Sequence, residues 1–380
     1  MSEIQILRKQ DTLIPQSMSE KILTVGTDHR NYKGGIGYLI HVYSQHFASF
    51  KSVTTHKLLN DNKFDKILLI PYFLKQYVLF LHQLATDRQL RIVHMHGSSY
   101  GSFYRKLILF LTAKYVFRKK TIYHMHGSEF AVFYRGSNPL TKRLIHLLIE
   151  NVDAVVCLSK SWHQFFTDNF RLKRIEIIGN VVNAEPQKIG SRREQTHEPL
   201  TCLFLGAIGH RKGIFDLLDV LRQHKPSLEG RLRVVIGGNG ETERLTAYIQ
   251  EHRLEQMAQF VGWISGPQKH QLLSESDLYI LPSYNEGLPL SILEAMSYRL
   301  PVISTPVGGT AEAVQEGVNG FLVPPGDKAA LHDRLLRFIA QPDLIVTMGN
   351  ASGQIIRQYQ PETIFPKLQT LYESLLTHPT

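Results

Sequence analysis

At 380 residues, with 43% hydrophobic and 10% aromatic side chains, the chain exceeds a usual single core and has material for two domains of roughly 150 to 200 residues each. Its apolar clusters fall far short of the ~20 residues that span a bilayer, and MSEIQILRKQ lacks the apolar run of about 7 to 15 residues of a signal peptide. Two cysteines, Cys157 and Cys202, in apolar runs exclude a disulfide framework and fit a reducing cytoplasm. The net charge of +10 is uneven: residues 1–190 carry 26 Lys+Arg against 13 Asp+Glu, residues 191–380 carry 17 against 20. The first half is therefore expected to face something anionic.

Short aliphatic runs alternate with amphipathic stretches, the pattern of βα units in parallel sheets. The first half offers strands at Ile22–Val25, Ile67–Ile70, Ile92–Val93, Thr121–Tyr123, Ala154–Leu158 and Ile175–Ile178. The second offers Cys202–Leu205, Arg233–Ile236, Phe260–Val261, Leu278–Leu281, Val302–Ser304 and Phe321–Val323. The polar segment 183–200 reads as the linker. An α/β chain of two doubly wound domains in tandem is expected, 1–190 and 191–380. Its last helix, about 356–376, carries Ile364, Leu368, Leu371, Tyr372 and Leu375 on one stripe and is allowed to cross back onto the first domain. In such sheets ligands bind beyond the carboxyl ends of the strands, so the following loops should hold the chemistry.

After the first strand, GTDHRNYKGGIGYLI places Gly34, Gly35 and Gly37 before a helix. Glycines there let backbone approach an anion, although a plain βα turn needs the same residues. VHMHGSS and YHMHGSE each end a strand with two histidines on one face. His-x-His pairs occur in metal sites, but no Asp or Cys accompanies these at matching spacing. Polar lining is the better reading, no metal is expected, and His126 at its strand end is best placed to touch a ligand.

Residues 102–120, SFYRKLILFLTAKYVFRKK, interleave aromatic and aliphatic side chains with Arg105, Lys106, Lys114 and Arg118 to Lys120, either a membrane-surface helix or a core helix with a solvated basic end. In FLGAIGHRKGIFDLL, Arg211 and Lys212 stand between a strand and a helix, where they can neutralise a departing diphosphate. No Asp-x-Asp is present to hold a divalent ion for that purpose. FVGWI can offer Trp263 and Ile264 to a flat base or to the core.

ILPSYNEGLPLSILEAM holds Glu286 in a turn and Glu294 in a helix, with Pro289 suited to the first helical position. Amides of Gly287, Leu288 and Leu290 are then available for phosphate or hydroxyls. At different levels, the two carboxylates suit two separate diols better than one acid/base pair.

Taken together, EGLPLSILE (Glu-x7-Glu), PVISTPVGGTAE and GVNGFLVPPGD resemble the retaining glycosyltransferases of family 4, with two facing Rossmann-like domains, the GT-B architecture. The resemblance implies that Glu294 binds the ribose of a sugar nucleotide and Glu286 the donor sugar. Arg211 and Lys212 would hold the diphosphate with amides from 287–290 and the Gly34–Gly35 loop, and His126 would lie by the reacting carbon. Gly262 to Ile264 would receive the base. IIGNVVN keeps Asn180 and Val182 of a family segment but alters its neighbours, and Ala207 replaces an arginine that many members carry after Gly206. The implied reaction is metal-independent, cofactor-free, retaining transfer of a hexose from a UDP-sugar to a hydroxyl of a glycan or lipid-linked acceptor in bacterial surface polysaccharide or glycolipid synthesis. A cytoplasmic protein, peripheral on an anionic membrane face, is expected. The alternatives are a nucleotide-sugar epimerase of the same fold, against which the Glu-x7-Glu spacing argues, and a basic nucleic-acid-binding protein, for which no binding motif is present.

Overall fold

The structure, a computed structural model, describes residues 12–30, 32, 34–56, 63–183 and 199–377, with backbone alone for 63–68. The chain forms two compact units: the described residues up to Asn183 with those from Tyr359 onward, and those between, ending at Gln358. Most of the polar 183–200 segment lies outside the described residues.

The first unit holds a six-stranded parallel sheet of β1 (Ile22–Thr27), β2 (Lys51–His56), β3 (Ile92–Gly97), β4 (Lys120–Met125), β5 (Ala154–Cys157) and β6 (Ile175–Ile177). Its order is β2-β1-β3-β4-β5-β6, so the chain reverses direction across the sheet between β1 and β3. The second unit repeats the plan with β7 (Leu200–Leu205), β8 (Leu232–Gly237), β9 (Ala258–Phe260), β10 (Leu278–Leu281), β11 (Val302–Ser304) and β12 (Gly320–Leu322), ordered β12-β11-β10-β7-β8-β9. Its reversal falls between β7 and β10. Strands such as β5 and β10 are buried on both faces, which is why they read as near-continuous apolar runs.

One expected strand fails and one strand is unexpected, for local reasons. Ile67–Ile70 is not a strand but part of the helix Lys63–Thr86, which continues through Pro71 and leaves Ile70 exposed. The strand that precedes this helix is β2, whose KSVTTH is an edge strand burying only Val53 and Thr55 and so lacks an apolar run.

The C-terminal helix Pro361–Thr377 belongs to the first unit. Its Ile364, Phe365, Leu368, Leu371 and Tyr372 join Ile22, Tyr43, Ile92 and Ile122 in one core. Each such side chain is worth about 1.5–3 kcal/mol against exposure to water. Tyr372 Oη also meets His94 Nδ1 at 2.7 Å, which fixes the helix against β3.

Candidate active site

In the second unit, the loops after β7 and β10 meet where the strand order reverses, the crevice in which open α/β sheets bind ligands. Glycine makes the close approach possible. Gly213, at φ +70°, ends the turn carrying His210, Arg211 and Lys212, and a Cβ there would stand 2.0 Å from the Pro282 carbonyl oxygen. Gly308, at φ +57° after β11, sits against the Glu286 carbonyl, and Gly309 N–H donates to the Gly287 carbonyl at 2.5 Å. Three strand-end loops are thus packed backbone to backbone.

This packing brings Lys212 Nζ to 2.5 Å from Glu286 Oε1, and Ser283 Oγ donates to the same oxygen at 2.7 Å. Glu286 is 5% exposed, so its charge is answered inside the protein. Arg211 Nη1 donates to the Asn285 carbonyl at 3.2 Å, while Tyr284 N–H donates to the Arg211 carbonyl at 2.8 Å. The Tyr284 ring stacks on His210 with centroids 4.4 Å apart. Arg211, Lys212, Glu286 and Gly287, separated in sequence, therefore form one cluster.

Glu294 lies one helix further on, in Leu290–Ser297. Pro289 is the cap of this helix rather than its first residue, with ψ +118°. The first amides of the helix, Leu290 among them, have no partner within it. Gly287 and Leu288 are buried in the turn before it and Leu290 is half-buried. Glu294 Oε1 accepts from Lys269 Nζ at 2.6 Å, a partner on the helix Gly266–Glu275 that the sequence motifs did not mark. Both glutamates act on Tyr279, buried on β10, whose hydroxyl donates to the Leu205 carbonyl at 2.9 Å. Burial above all, and then these charges, keep that phenol neutral. Trp263 is 45% exposed beyond β9, whereas Ile264 is buried against Gly237. Of the two residues expected near a base, only Trp263 presents its side chain to solvent.

In the first unit, His94, His96, His124 and His126 form a stacked ladder at the ends of β3 and β4. His94 Nε2 lies 3.2 Å from His124 Nδ1, and His96 Nδ1 lies 2.9 Å from His126 Nε2. Ring nitrogens of His94, His96 and His124 come within 4.8 Å of one another, close enough to share an ion. Their hydrogen bonds run from His94 to His124 and Tyr372, and from His96 to His126. Burial pushes His94 and His126 down to about 3, and His96 and His124 well below the ordinary histidine range. His126 is half-buried after β4, and the neighbouring Asn180 side chain opposes part of its shift. His126 and Asn180, both singled out from sequence, thus stand together.

Gly34 caps the helix Gly35–His46 with extended backbone and open space around it, so neither its conformation nor its surroundings require glycine. The required glycine is Gly37, where a Cβ would meet the Asp28 carbonyl at 2.8 Å.

The 102–120 stretch is not a uniformly basic surface. Lys106 is buried and Lys114 pairs with Asp153 at 2.7 Å. The stretch exposes Tyr104, Ile108, Tyr115 and Val116 instead. The Lys63–Thr86 helix, tied to it by Tyr77 Oη and Thr112 Oγ1 at 2.8 Å, exposes Ile70, Leu74 and Val78 at four-residue intervals.

Comparison with known proteins places these features. Residues 187–354 match Glycosyl transferases group 1, and residues 35–186 match Glycosyltransferase Family 4. The amylovoran biosynthesis glycosyltransferase AmsK of Erwinia amylovora is 28% identical over 57% of this chain and 55% of its own. N-acetyl-alpha-D-glucosaminyl L-malate synthase of Bacillus anthracis is 25% identical over 63% of this chain and 65% of its own. The matched region thus spans about half to two thirds of these relatives. Among solved structures, sucrose-phosphate synthase of Thermosynechococcus elongatus superposes with a TM-score of 0.74 at 18% identity, covering 94% of this chain and 99% of its own. Anabaena HepE in complex with UDP-glucose gives 0.71 at 20% identity over the same shares.

Proposed function

The chain belongs to glycosyltransferase family 4 and has the GT-B fold, and from that premise we propose that it transfers a hexose from a UDP-sugar to an acceptor hydroxyl with retention of configuration. The observation that carries this reading is the Lys212–Glu286 pair, set beside Arg211 in the crevice between β7 and β10. A diphosphate leaving group needs cations that already stand in place, and these two supply them without a metal. As the sugar–oxygen bond lengthens, Lys212 moves its contact from Glu286 to phosphate oxygens, and the freed carboxylate faces the sugar's hydroxyls and its growing positive charge. Glu294 accepts from the ribose diol, with Lys269 orienting the carboxylate. His126, kept neutral by burial and held against His96, is suited to accept or donate a hydrogen bond at a sugar hydroxyl rather than to carry charge. In this reading no covalent intermediate forms: the acceptor attacks from the face the phosphate leaves, and the phosphate takes its proton.

UDP as the nucleotide is supported by HepE, solved with UDP-glucose, and surface polysaccharide synthesis by AmsK, named for amylovoran biosynthesis. A lipid-linked acceptor and a peripheral place on a cytoplasmic membrane face are supported by the apolar stripe Ile70, Leu74 and Val78, with exposed Lys75 beside it. No helix of the described residues is long and apolar enough to cross a membrane. Incubation with a panel of nucleotide sugars, following release of nucleoside diphosphate and the anomeric configuration of the product, tests the proposal. Release from no nucleotide sugar, or an inverted product, contradicts it.

A further inference from the structure

Lys106 occupies a position that lysines rarely hold. It lies on the apolar stripe of the helix Gly101–Leu111, with Phe103, Leu107 and Phe110, and is 1% exposed. Its Nζ donates to Thr55 Oγ1 at 2.5 Å, and that hydroxyl donates onward to the Gly26 carbonyl at 3.1 Å. No carboxylate of the described residues forms an ion pair with Lys106 or its neighbour Arg105. Asp28, just beyond β1, instead accepts the Arg30 amide at 3.0 Å.

Around this lysine, positive charge and unused polar atoms gather. Arg105 and Lys106 repel each other, and both act on His56 at the end of β2. Burial first, and Arg105 second, push the Lys106 ammonium down to about 7. Arg105 Nε, His56 Nδ1 and Thr27 Oγ1 are all buried without a hydrogen-bond partner, as is His96 Nε2 on β3. Thr27 and His56 are paired across β1 and β2, at the carboxyl end of the sheet beside its own strand reversal. Buried cations and orphaned donors are each costly, and one oxyanion answers both.

We infer that Arg105, Lys106, His56 and Thr27 form a phosphate-binding site in the first unit, and, resting here on the glycosyl-transfer reading, that the phosphate belongs to the acceptor. Arg105 and His56, half-buried, form the rim that touches the anion, and Lys106 supplies charge from the floor. Arg211 and Lys212 belong to the other unit. An acceptor carrying a phosphomonoester or phosphodiester next to the receiving sugar is the class of substrate it selects.

Thermal unfolding of the full chain, with inorganic phosphate and with UDP as separate probes, tests the inference. Phosphate is expected to raise the melting temperature of the wild type and of Lys212→Met, but not of Lys106→Met, which should itself melt higher than the wild type in phosphate-free buffer. UDP is expected to protect the wild type and Lys106→Met but not Lys212→Met. Should Lys106→Met fail to fold, Arg105→Gln decides the matter through a loss of roughly tenfold or more in phosphate affinity. Phosphate protection that persists in Lys106→Met, is unchanged in Arg105→Gln, or is lost in Lys212→Met overturns the site. If UDP protects no variant while phosphate protection depends on Lys106, the glycosyl-transfer reading fails and the phosphate site stands.

Discussion

Lys212 and Glu286, 74 residues apart in sequence, meet at 2.5 Å because Gly213 and Gly308 let three strand-end loops touch through their backbones. The pair answers a buried carboxylate in the free protein and leaves a cation in position for phosphate. Lys212→Met should therefore do two things: destabilise the second unit by about 2–4 kcal/mol through the stranded Glu286 charge, and lower transfer by roughly 100-fold or more. Adding Glu286→Gln should restore most of the stability and none of the activity. Urea denaturation and turnover, measured on the same preparations, separate the two effects.

Gly308→Ala tests the backbone packing itself. At φ +57°, with a Cβ 1.9 Å from the Glu286 carbonyl oxygen, alanine forces the 282–289 turn to move. A loss of about 1–3 kcal/mol is expected from backbone strain, with a larger proportional fall in kcat than in nucleotide affinity. Gly34→Ala, where open space surrounds the added carbon, should leave stability within about 0.5 kcal/mol.

The histidine ladder gives the first unit a pH dependence of defined sign. His94 and His126 titrate near 3 in the fold and near the ordinary 6.5 when unfolded, because burial disfavours their charged forms. The unfolded chain thus binds protons that the folded one refuses, and stability present above pH 6.5 is lost as pH falls through the window from 6.5 towards 3. Each histidine held neutral contributes a slope of about 1.4 kcal/mol per pH unit there. Denaturation midpoints at pH 7.5, 6 and 5 should fall in step, and His96→Leu should flatten the slope.

The exposed stripe on the Lys63–Thr86 helix should govern membrane attachment. Leu74→Glu with Val78→Glu is expected to reduce co-sedimentation with vesicles of anionic lipid at low salt by about tenfold while leaving melting temperature unchanged. Equal binding by wild type and variant would sink the membrane assignment.

Strands buried on both faces, such as β5 and β10, are legible because parallel sheets demand continuous apolar runs. The edge strand β2 is not, since its outer residues answer to water, and Ile67–Ile70 misleads because an apolar run within a helix carries the same letters as a strand. In the site, Glu286, Glu294, Arg211 and Lys212 announce themselves through motif and spacing. Lys269 does not, because a lysine on an amphipathic helix looks alike whether it meets solvent or a carboxylate. Lys106 left a readable signal: it falls between Phe103 and Phe110 in the i, i+3, i+4, i+7 series, where a solvated lysine would be out of phase.

The donor site is tested most directly by calorimetric titration of UDP into the wild type, Glu294→Gln and Lys269→Met. If Glu294 holds the ribose and Lys269 orients it, Glu294→Gln should weaken UDP binding by roughly tenfold or more, and Lys269→Met by a smaller factor that disappears in the double variant. UDP affinity unchanged in Glu294→Gln, with the fold intact, would contradict the assignment of this carboxylate and with it the placement of the nucleotide.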